Sequence, residues 1–318
     1  MQPESKQPTK PQTGIGRREF LIKHLHTAAA FVLAGAGIRW PRVAMAAGTP
    51  DLAVATGSPT HAVNKAILEL GGMSRFVKPG QRVVIKPNMS FPHPLERATS
   101  THPEVVRAVV AACKDAGAAD IQVVDHPLRS TEACIEGVKQ ACAVFDEDMV
   151  FGPKESRHFK AAAIPEGQAF RKTDVLKSVL KADLLIAVPV AKSHGSTGVS
   201  LSMKGMMGLI YDRGIMHYRY DLDEAIVDLA SLLRPQLVLV DATRVLTSRG
   251  PSGNGKVIRP GTIIAGTDMV AADAYTVEAF PWYGRKLAAR NVKHIRIAHE
   301  RGLGRMDVAN LTIRRSEA

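Results

Sequence analysis

From residue 51 onward, short Val/Ile/Leu-rich runs alternate with amphipathic stretches, and glycine closes many of the boundaries. This alternation restricts the chain more than any other feature. "DLAVATG", "QRVVIKPN", "ADIQVVDHP", "LVLVDAT" and "GTIIAG" read as strands. Between them, "THAVNKAILELGG", "TEACIEGVKQACAVF", "TDMVAADAYTVEAF" and "VKHIRIAHERGLG" read as helices. In "THPEVVRAVVAACKDAGA", Val105, Val109, Ala112, Cys113 and Ala116 fall at helical spacing, and Leu222, Ile226, Leu229 and Leu233 do so in "LDEAIVDLASLLRPQ". Such a pattern predicts an α/β fold, a mostly parallel sheet with helices on both faces. Aromatic residues make up only 5% of the chain, so the core must be built from Val, Ile, Leu and Ala, the palette of strands covered on both sides. Residues 47–318 are expected to form one domain. The less regular segment 147–172 is expected to hold short strands or an inserted hairpin, and "TDVLKSVLKADLLIAVPV" a helix followed by a strand.

The first 46 residues are expected to lie outside this fold. Arg17 and Arg18 precede Phe20 and Leu21, a weakly apolar stretch follows, and small residues occupy 44–46. This is the pattern of a twin-arginine export signal, cut after Ala46. The apolar stretch is about a dozen residues long, whereas a membrane span needs roughly 20, so no stable span is expected. The implied location is periplasmic or otherwise outside the cytoplasm by the twin-arginine pathway, with the twin-arginine translocase as partner during export. This segment carries five of the chain's +12 net charge, leaving +7 for the remainder. No Lys/Arg block interleaved with aromatics is present, so a nucleic-acid partner is not expected and a small anionic ligand is. Cys113, Cys134 and Cys142 lack C-x-x-C spacing and read as small buried thiols.

In open α/β sheets, ligands bind beyond the carboxyl ends of the strands. Those ends are unusually polar here: Lys86 and Asn88 after one strand, Asp125 and His126 after another, Lys192, Ser193 and His194 after a third, Asp241 and Thr243 after a fourth. Asp125 reads equally well as a cap for the following turn. The stretch "VAKSHGSTGVSLSMKGMMGLI" brings Gly195, Thr197 and Lys204 to the same wall, with glycines that let backbone approach a ligand. Lys86, Lys192, His194 and Lys204 are the catalytic candidates: lysines can hold anions or act as bases when desolvated, and histidine can relay protons or ligate a metal. Asn88, Ser193, Gly195, Thr197 and His217 are candidates for anion binding. "GPSGNGKV" fails as a P-loop, because Val257 stands where a hydroxyl is needed and a strand follows. Its Gly250 and Gly253 could still offer amides to an anion. In "THPE", Thr101 and Glu104 fit a capping box around Pro103.

The segments "VVIKPNMS", "STHPEVVRAVVAACKDAGA", "VPVAKSHGSTGVSLSMKGMMGLI", "LVLVDAT", "GPSGNGK" and "AGTDMVAADAY" together resemble the DUF362 family, over roughly residues 80 to 282. The resemblance implies an α/β protein. Some family members carry ferredoxin-type cysteine clusters; this chain has none, so an iron–sulfur cluster is not expected. The family pattern usually places Asn after the second lysine, where this chain has Gly205. The arrangement is also similar to lactate-racemase-like proteins, whose lysine and histidines serve a nickel cofactor. Position by position, the resemblance carries over to Lys86, Asn88, Lys192, His194, Lys204, His217, Asp241 and Asp273. A metal ion would then be held by His194, Asp241 and Asp273; otherwise the cofactor is unknown. Two functions follow as expectations. One is an exported enzyme acting on a small anionic substrate, with a metal or organic cofactor loaded before export. The other is a periplasmic ligand- or metal-binding protein without catalysis.

Overall fold

The structure, a computed structural model, describes residues 48–317. The expected export signal at 1–46, including Arg17 and Arg18, lies outside the described residues.

In chain order, the first half comprises β1 (Leu52–Thr56), α1 (Pro59–Glu69), β2 (Arg82–Pro87), α2 (Pro103–Asp115), β3 (Asp120–Val124), α3 (Thr131–Cys142) and β4 (Val150–Phe151). A hairpin of β5 (Phe159–Ala163) and β6 (Lys172–Leu176), the short α4 (Lys177–Lys181) and β7 (Leu184–Val188) follow. The second half begins with β8 (Val190–His194), β9 (Gly198–Ser200), α5 (Ser202–Gly205), α6 (Gly214–Tyr218), α7 (Leu222–Leu232) and β10 (Leu237–Leu246). It ends with β11 (Val257–Ile258), β12 (Thr262–Gly266), α8 (Met269–Ala279), a hairpin of β13 (Pro281–Trp282) and β14 (Arg285–Lys286), α9 (Lys293–Glu300) and β15 (Ile313–Glu317).

The main sheet has the order β15-β1-β12-β10-β7-β2-β3-β4. Every neighbouring pair on this path is parallel except the two made by β12, which runs against both β1 and β10. The α/β fold with a mostly parallel sheet therefore holds, and the exception has a cause. A parallel return from β10 needs a crossover element, and the segment between β10 and β12 contains only the short strand β11. Strand β8 extends the parallel set, pairing with the far half of β10.

Side-chain alternation along the strands feeds two apolar layers. Leu184, Ile186 and Val188 face α1 and α2 through Val63, Ile67, Val105 and Val109. Leu185 and Ala187 face α7, α8 and α9 through Ile226, Leu229, Val277 and Ile295. Helices thus cover both faces, as the buried run "LLIAV" requires. At roughly 25 cal/mol per Å² of apolar surface removed from water, these layers supply most of the drive for folding.

Two local expectations are corrected, and one strand is added. Thr173–Leu176 is not helical: Val175, fully buried, pairs with Lys160 in the β5–β6 hairpin, and the helix shrinks to five residues. Thr101 does not cap α2. The cap is His102, whose Nδ1 accepts from Glu104 N at 3.1 Å, while Thr101 Oγ1 donates to Val188 O at 2.7 Å and ties the loop to β7. The polar strand β15, half exposed along its length, adds an edge that hydrophobic patterning does not mark. All three cysteines are free and buried. Among the described residues, no helix is long and apolar enough to cross a membrane.

Candidate functional site

Strands β2, β3, β7, β8 and β10 run the same way, so their carboxyl ends meet along one edge. Pro87 lies beside Val188, and Asp241 N donates to Pro189 O at 2.7 Å, aligning that row across three strands. Lys86 leaves the end of β2 and Asp125 follows β3. Their charged groups stand 3.1 Å apart, almost wholly buried, as an ion pair in which Asp125 Oδ1 receives no aligned hydrogen bond. Lys86 Nζ also donates to Pro87 O at 2.5 Å, and Asp125 Oδ2 accepts from Met89 N at 2.7 Å. Burial pulls the Lys86 amine below its ordinary range, against the pull of Asp125. Gly208 passes so close that a Cβ there would collide with Asp125 Oδ1 and stand 2.8 Å from Lys86 Cε.

Lys192, on β8, is also buried. Its Nζ donates to Thr99 O at 2.6 Å and to Asn88 Oδ1 at 3.1 Å, and it lies 5.0 Å from the Phe91 ring centroid. Asn88 thus positions the lysine. Desolvation lowers the Lys192 pKa to about 7; Asp125 opposes this while Lys86 and Lys204 push the same way. Lys204, on α5, is buried with one hydrogen-bond partner among the described residues, the weak acceptor Met207 Sδ at 3.5 Å. Burial first, and Arg213 second, lower its pKa to about 8, with Asp223 opposing.

His194 ends β8. Its Nδ1 accepts from Ser196 N at 3.2 Å, so the proton of the neutral ring sits on Nε2. Burial and then the cations Lys204 and Lys192 lower its pKa to about 3, leaving a neutral imidazole that presents Nε2–H. His217, exposed on α6, is lowered by partial burial and then by Lys204 and Arg213. A Cβ on Gly195 or Gly205 would meet nothing within 4 Å, so both border open space, Gly205 between the buried Lys204 and Met206.

Other expected site residues are spent on structure. Asp241 Oδ2 accepts from His102 N (2.7 Å) and Arg244 Nη2 (3.1 Å), and its Oδ1 from Thr243 N (3.0 Å) and Oγ1 (2.5 Å). Asp273 accepts from Ser202 N, Ser202 Oγ and Met203 N at 2.9, 2.7 and 3.0 Å, tying α8 to α5; burial raises its pKa to about 6. The metal set of His194, Asp241 and Asp273 therefore does not assemble. Among the described residues, no three or more His, Cys, Asp or Glu side chains form a group that could hold a metal ion. Ser193 Oγ accepts from Gly250 N at 2.9 Å, Thr197 Oγ1 donates to Val199 O at 3.0 Å, and Gly253 N donates to Arg249 O at 2.9 Å. The Gly250 and Gly253 amides are thus turned inward, and Gly250 lacks a side chain because a Cβ would collide with Ser193 O.

The structure adds residues that no sequence signal marked as site members. Phe91 and Thr99 reach Lys192 from a proline-rich loop without periodicity. Arg213 donates to Pro127 O at 3.0 Å and is lowered chiefly by burial, then raised by Asp125. Tyr283 accepts from His194 N at 3.1 Å and contacts His194 O and Gly198 O at 2.9 and 2.7 Å. It does so at φ 54°, a costly backbone state for a bulky residue. The sum is a rim where Lys86, Lys192 and Arg213 lie in the field of the buried Asp125, and Lys204, between Lys192 and Arg213 in its interactions, is opposed by Asp223. Burying so many basic groups is costly in their charged forms, which is why burial lowers their pKa values.

Comparison with known proteins gives three matches. The sequence pattern of DUF362, described as a domain of unknown function, matches residues 83–278. A thylakoid-associated protein of Synechocystis, sll1697, is 27% identical over 226 residues, which cover 68% of each chain. The lactate racemase apoprotein of Thermoanaerobacterium thermosaccharolyticum aligns over 73% of this chain with 15% identity and a TM-score of 0.42. The chain spans 59% of that protein's length.

Proposed function

The chain belongs to the DUF362 family, a family without an assigned function, and from its rim we propose an enzyme that acts on a small anion. A carboxylate or phosphate group is held by Lys204, with Arg213 adding charge, where Gly195 and Gly205 leave room. A neutral Lys192 gives its two N–H groups to Thr99 O and Asn88 Oδ1, which leaves its lone pair to accept a proton. Its pKa of about 7 suits that task near neutrality. His194, neutral with Nε2–H, serves as a hydrogen-bond donor to charge that develops on the substrate. No step of this reading passes through a metal ion, because the described residues do not fit one.

One observation carries the reading: Lys86, Lys192 and Arg213 all lie in the field of the buried Asp125, and among the described residues the buried Lys204 has only a thioether for a hydrogen-bond partner. The test is calorimetry of the full chain with carboxylates and phosphate esters of two to six carbons, beside Lys204→Met. Binding should weaken at least tenfold in the variant; equal affinity would overturn the assignment. Lys192→Met should keep binding and lose turnover by roughly 100-fold or more. Retained turnover would remove Lys192 from the reaction, and binding without conversion in the native chain would make the protein a carrier. Export by the twin-arginine route is supported by Arg17 and Arg18. Unchanged location of an Arg17→Lys/Arg18→Lys variant would argue against it.

A further inference from the structure

Beside the rim lies a cavity of about 350 Å³ that the proposed reaction does not use. One wall is Ser196–Gly198, the loop that follows His194. Tyr283, Arg285, Lys286 and Leu287 also line the cavity, together with Lys293 at the start of α9. Asp223, the carboxylate that acts on Lys204, also lines it. Rim and cavity therefore share both a loop and a carboxylate. Tyr283 fastens its own segment to that loop through its bonds to His194 and Gly198, which sets the β13–β14 hairpin at a fixed place relative to His194.

The charges in the cavity are unbalanced. Lys293 is paired with Asp221, and Asp223 Oδ1 is engaged by His294 Nδ1 at 2.9 Å. Arg285 and Lys286 form no hydrogen bond through their side chains and no ion pair among the described residues. Gly198, at φ 76°, has open space where a Cβ would stand, which widens the passage from the loop. Leu287 and the Tyr283 ring supply apolar surface between the polar groups.

We propose that the substrate is a bifunctional anion whose second anionic group, a phosphate or carboxylate, lodges in this cavity against Arg285 and Lys286. The proposal rests on the rim as the site of the first group. Its volume is that of a small-ligand pocket, and paired cations there would select for a second charge.

The test is titration calorimetry of the full chain with three matched series of two to six carbons: monocarboxylates, dicarboxylates and ω-phosphorylated carboxylates. A second anionic group should tighten binding at least tenfold at one or more chain lengths, and the stronger of the two charged series identifies the group. Arg285→Ala/Lys286→Ala should remove that gain, and Arg285→Glu/Lys286→Glu should turn it into a penalty. Both positions are exposed, so the variants should fold. No gain from a second charge at any length, or a gain that survives both double variants, overturns the proposal. Failure of the rim reading is separate: Lys204→Met would then bind the monocarboxylates as well as the native chain does.

Discussion

Substituting Lys192 by methionine keeps the length and apolar stem of the side chain and removes its amine, so the variant isolates one titration. Lys192 lies at about 7 in the folded protein, against about 10.4 in an unfolded chain. A folded value below the unfolded one means that the unfolded chain holds the extra proton between those limits. Stability must then rise with pH across that window and fall on acidification. Each pH unit of full proton difference contributes about 1.4 kcal/mol. Lys192 is about half charged at pH 7 and almost neutral at pH 9, so the native chain should gain about 2 kcal/mol on Lys192→Met between these values. The buried Cys113 and Cys142, raised to about 12 and about 11, work in the opposite direction above pH 8.5. They are present in both proteins and cancel in the difference. Urea unfolding at pH 7, 8 and 9 and constant ionic strength measures this, with equal m-values required in the two proteins. A stability difference independent of pH would refute the claim that Lys192 is a desolvated amine.

Asp125→Asn leaves Lys86 buried beside an amide, and the chain should lose about 3 kcal/mol or more at pH 7 by urea unfolding, with a smaller loss at pH 9 as the lysines discharge. Gly208→Ala drives a methyl group into Asp125 Oδ1 and against Lys86 Cε, and should cost about 1–3 kcal/mol; a neutral effect would show that the two strand ends can separate. The His194 ring should remain neutral with its proton on Nε2 from pH 4.5 to 8, observed by nitrogen NMR; a titration midpoint near 6.5 would place it outside the cationic field.

The alternation of strands and helices and the polarity of the strand ends were both legible in the sequence, because each depends on nearest neighbours in the chain. Lys86, Asp125 and Lys192 could be named as strand-end residues for that reason. Their partners could not. Asp125 reads as a turn cap until β2 and β3 are known to lie side by side, and only then does it become the counterion of Lys86. Asp241 and Asp273 look like free carboxylates in sequence, yet tertiary folding brings His102 to Asp241, beside its near neighbours Thr243 and Arg244, and Ser202 and Met203 to Asp273. The antiparallel β12 and the edge strand β15 were illegible for a different cause. A buried strand has the same pattern in either direction, and an exposed edge has almost none.

What distinguishes this rim from an ordinary buried salt bridge is that its charges are not balanced by the fold. Asp241 with Arg244, and Asp228 with Arg301, are carboxylates satisfied by a guanidinium and by backbone amides. Lys192 and Lys204 have instead a carbonyl, an amide oxygen and a thioether, acceptors that stabilise a neutral amine nearly as well as a charged one. Lys86 and Lys192 converge because β2 and β8 run the same way and end along one edge, and the turn into α5 adds Lys204. A core selected for stability alone would place apolar residues there. The lowered pKa values of Lys192 and Lys204 therefore have one origin, burial of amines whose partners do not favour the charged form.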